Sequence, residues 1–268
     1  MKKIFVPLCL LLALSLAPAR VLAMGTPPHL PGIVDLRARI AAELVSLDRD
    51  LADAAQQLST VGLFSNSSSI LRKLYDNHAS VVDVATVNPE GYLITIQPER
   101  YKAAEGQRIN EQPHFMEIQK TGRPVMSSVF KTAEGFYAAS IIYPVVNLKG
   151  QTIGYVSAVF KPDALMGKFI KPHLSPLTSV EAFALQQDGR IIYDHDIMQI
   201  GRMTFSDPAY QSYPDLLRLA ARITAEPSGA GTYTFPVGRN GAPGKKATEW
   251  TTIALHGVEW RLVVSKTL

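Results

Sequence analysis

Three groups of residues in this chain have the types and spacing to do chemistry. Ser128 and Lys131 stand three apart, the spacing at which an amine can activate a hydroxyl for acyl transfer, and Lys120-Thr121-Gly122 lies just before them. Asp194-His195-Asp196 puts two carboxylates and an imidazole side by side, all of them metal-ligand types. The stretch from Gln112 to Lys161 combines a helix that starts at Pro113 and stops at Thr121-Gly122 with three strands, joined by turns at Ala133-Glu134-Gly135 and Asn147-Leu148-Lys149-Gly150. A helix lying on an antiparallel sheet leaves a concave space, and such a space suits a small molecule.

The first two groups do not hold. In penicillin-recognising serine hydrolases the nucleophile sits at a helix start well before the Lys-Thr-Gly, whereas here the Lys-Thr-Gly comes first and Ser128 falls in an expected strand. That activity is the remote alternative. On a strand, Asp194 and Asp196 point away from the side His195 faces, and the histidines at 29, 78, 114, 173 and 256 show no paired ligand spacing. Gly229-Ala230-Gly231 precedes a strand instead of a helix, so no phosphate loop or dinucleotide site is expected. The residues imply no cofactor, no metal and no catalytic machinery.

Composition is that of a globular protein and not of a disordered one. The chain has 268 residues, 47% hydrophobic and 19% charged, a globular balance with room for two ordinary domains. Lys2 and Lys3 precede an apolar run broken by Pro7 and Pro18, and Val21-Leu22-Ala23 offers small residues for cleavage. Residues 1–23 therefore read as a signal peptide cut after Ala23, which places the mature protein in the periplasm or outside the cell. The single cysteine, Cys9, lies in that segment, so the mature chain has no disulfide. Removing Lys2, Lys3 and Arg20 from the 27 basic residues leaves 24 against 23 acidic ones. No basic run is interleaved with aromatics, and nucleic acid is not an expected partner.

The elements that must position a site follow in order. After a Pro- and Gly-rich lead-in, Leu36, Ile40, Leu44, Leu47, Leu51, Ala54 or Ala55, and Leu58 step by three or four along one face of a long helix ending near Gly62. That face either packs within the chain or forms a homodimer seam. A short helix follows over residues 70–78, and then Val82, Val84 and Thr86 alternate into a hairpin that turns at Pro89-Glu90-Gly91. Residues 97–108 show no period and read as a loop. The second half repeats the first: Val180 lies nine residues before the turn glycine Gly189, as Val82 does before Gly91. A helix over 214–225 and strands over 231–237, 247–255 and 260–265 complete the copy, with Gly257 taken as the counterpart of Gly154. The expected division is a helical region over 24–80, a first module over 81–161, a Pro-rich linker over 162–178 and a second module over 179–268. Residues 238–246 read as a solvated loop with Lys245 and Lys246 at its surface.

The order of short motifs in both copies resembles the double Cache domains of extracytoplasmic sensors. In the first copy these are Asn88-Pro89-Glu90-Gly91-Tyr92, Gln112-Pro113-His114-Phe115, Thr121-Gly122-Arg123-Pro124-Val125, Tyr143-Pro144-Val145 and Gly154-Tyr155-Val156. In the second they are Gln187-Asp188-Gly189-Arg190-Ile191-Ile192, His195-Asp196, Ile200-Gly201 and Ser228-Gly229 before Tyr233. The resemblance spans nearly all of residues 33–268. It implies an α+β fold, with a long N-terminal helix followed by two tandem PAS-like modules, each an antiparallel sheet with flanking helices. It also implies a sensor of signal transduction or chemotaxis that binds a small metabolite in its first module. With no output domain in the sequence, the expected partner is a separate membrane receptor, sensor kinase or transporter.

In amino-acid-binding members of that family an arginine at the helix start holds the ligand carboxylate, and acids on the sheet hold its ammonium. Here the corresponding positions read Gln112, His114, Phe130, Thr132 and Val159, with Phe115 kept aromatic. The candidate ligand-binding residues are Tyr101, Gln112, His114, Phe115, Phe130, Thr132, Tyr137 and Tyr143. The expected ligand is a short carboxylate or a neutral solute, with His114 or Gln112 as donor. Tyr193 and Asp194 are expected beside a second pocket in the second module.

Overall fold

The computed structural model describes residues 32–174, 180–237 and 241–268. The expected signal segment with Cys9, His29 and most of the lead-in lie outside the described residues, as do 175–179 and 238–240.

Helix α1 (Ile33–Val61) follows the apolar stripe read from the sequence, and Leu36, Ile40, Leu44, Leu47, Leu51 and Leu58 are all buried. Each contributes about 1.5–3 kcal/mol by leaving water. The stripe is covered within one chain, by the near faces of both sheets. It is therefore not a free homodimer seam, because a surface already packed inside the monomer cannot serve a second copy without opening the core. Helix α2 (Ser68–Asn77) packs Leu71 and Leu74 into the same core.

The first sheet contains β1 (Val81–Val87), β2 (Leu93–Gln97), β3 (Val125–Met126), β4 (Phe130–Lys131), β5 (Tyr137–Val146) and β6 (Thr152–Phe160). Its order is β2-β1-β6-β5-β3, with β4 paired to β5, and helix α3 (Pro113–Thr121) covers its far face. The second sheet contains β7 (Val180–Gln186), β8 (Ile191–Tyr193), β9 (Gly229–Val237), β10 (Ala242–Leu255) and β11 (Val258–Thr267), in the order β8-β7-β11-β10-β9. The two orders match strand for strand, so the nine-residue echo in the sequence is one topology used twice. All these pairings are antiparallel.

Three expectations need correction. Residues 162–173 are not linker but helix α4 (Pro162–His173), with Pro162 at its first turn and Leu165, Met166 and Ile170 in the shared core. Proline at a helix start costs no hydrogen bond, since that N–H has no helical partner anyway. Residues 242–246 belong to β10, and Lys246 is only 3% exposed, paired with Glu181. Gly154 and Gly257 also serve different ends. Gly257 (φ 82°) lies in the β10–β11 turn, whereas a Cβ on Gly154 (φ 150°) would meet the Val87 carbonyl and Leu63 at 2.4 Å.

Helix α5 (Pro214–Ala225) starts and stops where the sequence places it and buries Leu219, Ala220 and Ile223. It covers the far face of the second sheet, where Leu219 and Ile223 join Leu185, Ile191 and Trp250 in a smaller core.

Candidate functional site

Helix α3 sets the geometry of the first module's far face. Gln112 is extended (φ −71°, ψ 132°), Pro113 takes the first turn, and Gly122 ends the helix in the left-handed region at φ 63°. The buried side of this short helix presents His114, Phe115 and Ile118. Phe115 and Ile118 join Val87, Ile142 and Tyr155, and Phe115 meets Tyr155 edge-on at 5.1 Å between centroids. Phe115 is thus a fully enclosed core residue and does not line the cavity beside His114.

His114 turns the other way. Its ring lies nearly parallel to Phe130, 6.4 Å between centroids and 11° apart in plane. Gln112, His114 and Phe130 line one cavity of about 580 Å³, together with Ser127, Ser128 and Val258. A cavity of that size is within the range that takes small ligands. Val258 opens β11, so the second module contributes one wall. His114 is 8% exposed, and burial drives its imidazole down to about 4. It is therefore neutral at neutral pH, with one donor and one acceptor nitrogen. Thr132, in the β4–β5 turn, keeps its Oγ1 buried with no hydrogen-bond partner.

The other candidates go elsewhere. Directly paired residues share a face, and Phe130 pairs with Ala138, so Tyr137, Ala139, Ile141 and Tyr143 belong to the opposite face of β5. Tyr143 reaches α1, where its Oη donates to Asp48 Oδ1 at 2.8 Å. Tyr137 packs against Gly201 of the second module, and Arg190 lies 5.5 Å over its ring. Tyr101, in a single 3-10 stretch over 99–104, lies under Arg100 at 5.0 Å. These three serve packing and junction roles.

One residue of this face escaped the sequence reading. Asp83 pairs with Val159, which pairs with Ser140, so the three form a row across β1, β6 and β5. Ala158 and Phe160 face α1, which puts Asp83 and Val159 on the α3 side. Desolvation pushes the Asp83 carboxyl up to about 7, the like charge of Glu134 adds to this, and Arg100 offsets part of it. Among the described residues Asp83 makes no hydrogen bond through its side chain and no ion pair. A row whose Val159 position lacks an acid thus gains one from the next strand. The signal was present, since Asp83 is the single charge in Val81-Val82-Asp83-Val84-Ala85-Thr86-Val87.

Ser128 lies between β3 and β4, outside any strand, and both it and Lys131 are exposed. Asp194 accepts the Asp196 N–H at 2.9 Å and lies 3.1 Å from His195 Nδ1, forming a turn.

Two stacked modules thus share one helix, and the first carries a helix-covered cavity. Residues 42–162 match the family described as HK/GC/Chemotaxis protein-like, sensor domain, and the chain as a whole has the double Cache fold. An extracellular ligand-binding receptor from Desulfohalobium retbaense is similar, with TM-score 0.74 and 30% identity over 87% of this chain. This chain spans 39% of that receptor's length. The ligand-binding domain of the Pseudomonas fluorescens chemoreceptor CtaA, in complex with L-alanine, matches with TM-score 0.62 and 16% identity over 88% of this chain and 93% of that one. That of the Pseudomonas aeruginosa amino acid chemoreceptor PctB, in complex with L-Gln, gives TM-score 0.59 and 15% identity over 87% of each. No curated protein matches the chain. Among the described residues, no helix is long and apolar enough to cross a membrane.

Proposed function

We propose that the first module binds a small metabolite of the amino-acid type, on the α3 face of the first sheet. The observation that carries this reading is Asp83, a carboxyl on the sheet face that α3 covers, outside the lining of the His114 cavity, with no side-chain hydrogen bond among the described residues and its charge offset only in part by Arg100. A half-buried, partly desolvated carboxylate carries a cost that a cation relieves, and a ligand ammonium is the group that would do so. Gln112 and the neutral His114 then take the ligand's carboxylate or another polar end, as neutral donors in place of an arginine. The short carboxylate or neutral solute read from sequence is thereby amended to a solute that also carries an amine. The complexes of the similar chemoreceptor domains with L-alanine and L-Gln support that class.

The module is read as a sensor and not as an enzyme. Binding would favour one of two arrangements of the face under α3, and α1, which packs on both sheets, is the element placed to pass on the difference. Calorimetric titration with L-alanine and with propionate tests the reading. L-alanine is expected to bind and propionate to bind at least ten-fold more weakly, a difference that Asp83→Asn removes; equal affinity for both in the unmodified chain refutes the amine role.

A further inference from the structure

We propose that the second module holds a ligand site of its own, a cavity between α5 and the second sheet that takes an amine with an apolar body. This is a separate site from the one in the first module and does not rest on it. The cavity measures about 520 Å³. One end is apolar, where Leu185 and Ile191 of the sheet face Leu219 and Ile223 of α5. The other end is polar and carries three carboxylates, Glu181, Asp194 and Asp196, against the single ammonium of Lys246.

The charges do not balance. Lys246 is committed to Glu181, whose Oε2 its buried amine touches. Asp196 uses its oxygens on the Met198 N–H and on Gln199. Asp194 is left with the backbone N–H of Asp196 and with His195, whose side chain is 68% exposed at the rim. Burial raises the Asp194 carboxyl, and the like charges of Asp196 and Glu181 add to that. Arg202, paired with Asp207, also reaches the exposed Asp196 with its charge, so Asp194 is the carboxylate of this end left without a buried cation. Thr204 gives a second, independent sign of a missing partner. It lines the cavity, is 5% exposed, and its Oγ1 has no hydrogen-bond partner. A buried hydroxyl without a partner is a cost that a ligand donor or acceptor relieves. Tyr193, expected beside this pocket, is instead enclosed in the core under α1.

The test uses the full chain carrying Asp83→Asn, which silences the proposed amine site of the first module. Phenethylamine and hydrocinnamate are nearly the same size and differ in the sign of the head group. Titrated to about 5 mM by calorimetry, phenethylamine is expected to bind and hydrocinnamate to bind at least ten-fold more weakly. Adding Asp194→Asn, which keeps the oxygen that accepts the Asp196 N–H, is expected to weaken the amine about ten-fold or more. Leu219→Trp, which fills the apolar end, should abolish it while circular dichroism shows an intact fold. Absence of amine binding at that concentration overturns the proposal, and so does equal binding of both probes or an affinity unmoved by Asp194→Asn.

Discussion

Tyr143 of β5 and His256 of the β10–β11 turn meet at one oxygen of α1. Tyr143 Oη donates to Asp48 Oδ1 at 2.8 Å, and His256 Nε2 lies 2.6 Å from the same atom. The long helix is thus tied to both modules at a single carboxylate. His256 sits at φ 47° beside Gly257 at φ 82°, in the β10–β11 turn, which brings its ring to Asp48. Asp48→Ala strands both partners and should cost about 1–3 kcal/mol in a urea titration, more than Tyr143→Phe. If the two single costs simply add in the double variant, the shared-oxygen account is wrong.

The junction also depends on a glycine. Gly201 has φ 88°, and a Cβ there would lie 1.8 Å from the Tyr137 ring. Gly201→Ala is expected to lower stability by at least about 2 kcal/mol, from overlap plus backbone strain. Adding Tyr137→Ala should recover the overlap part and leave the strain of about 1 kcal/mol. No recovery would show that the two residues do not meet.

His114 makes stability depend on acid. Its folded-state value of about 4 lies below the usual 6.5, so the unfolded chain binds the extra proton between those values. Stability from this group is complete above about pH 6.5 and falls as pH drops toward 4, at up to about 1.4 kcal/mol per pH unit. Urea midpoints of the unmodified chain and of His114→Phe should therefore converge above pH 7 and separate below 6, with the unmodified chain losing more. A constant gap across that range contradicts a buried neutral imidazole.

Asp83 acts in the opposite sense. Its folded-state value of about 7 lies above the usual 3.8, so the folded chain holds the proton longer and loses stability as pH rises from about 4 through 7. Asp83→Asn should raise the melting temperature at pH 8, by the equivalent of roughly 1–3 kcal/mol, and do little at pH 4. A loss of stability at pH 8 would mean that Asp83 has a stabilising partner. A residue that costs stability and gains only when a ligand arrives is the kind that binding sites retain.

Much of this architecture was legible because it rests on local periodicity. The stripe from Leu36 to Leu58, the paired turns at Gly91 and Gly189, and the helix opened by Pro214 are all written at short range. The misses came where a local signal has two readings. Pro162 reads equally as linker or as a helix start, and only the burial of Leu165, Met166 and Ile170 decides. The site was harder, because strand parity separates residues that composition groups. Gln112, His114 and Phe130 line the cavity, whereas Tyr137 and Tyr143 fall on the other face. Asp83 reaches the α3 face through cross-strand pairing with Val159, a register no single stretch encodes.

The central claim is that the first module binds an amine-bearing solute through Asp83, Gln112 and His114, and a thermal-shift measurement with L-alanine, L-glutamine and their deaminated counterparts tests it most directly. Ligand at 100 times its dissociation constant adds about 2.7 kcal/mol to the folded state. For a chain of this length that is a rise of roughly 5–11 °C. The account predicts such a rise with at least one amino acid, a much smaller one with its deaminated counterpart, and none in a chain carrying Asp83→Asn with Gln112→Ala and His114→Ala. An amino-acid shift that persists undiminished in that triple variant would contradict it.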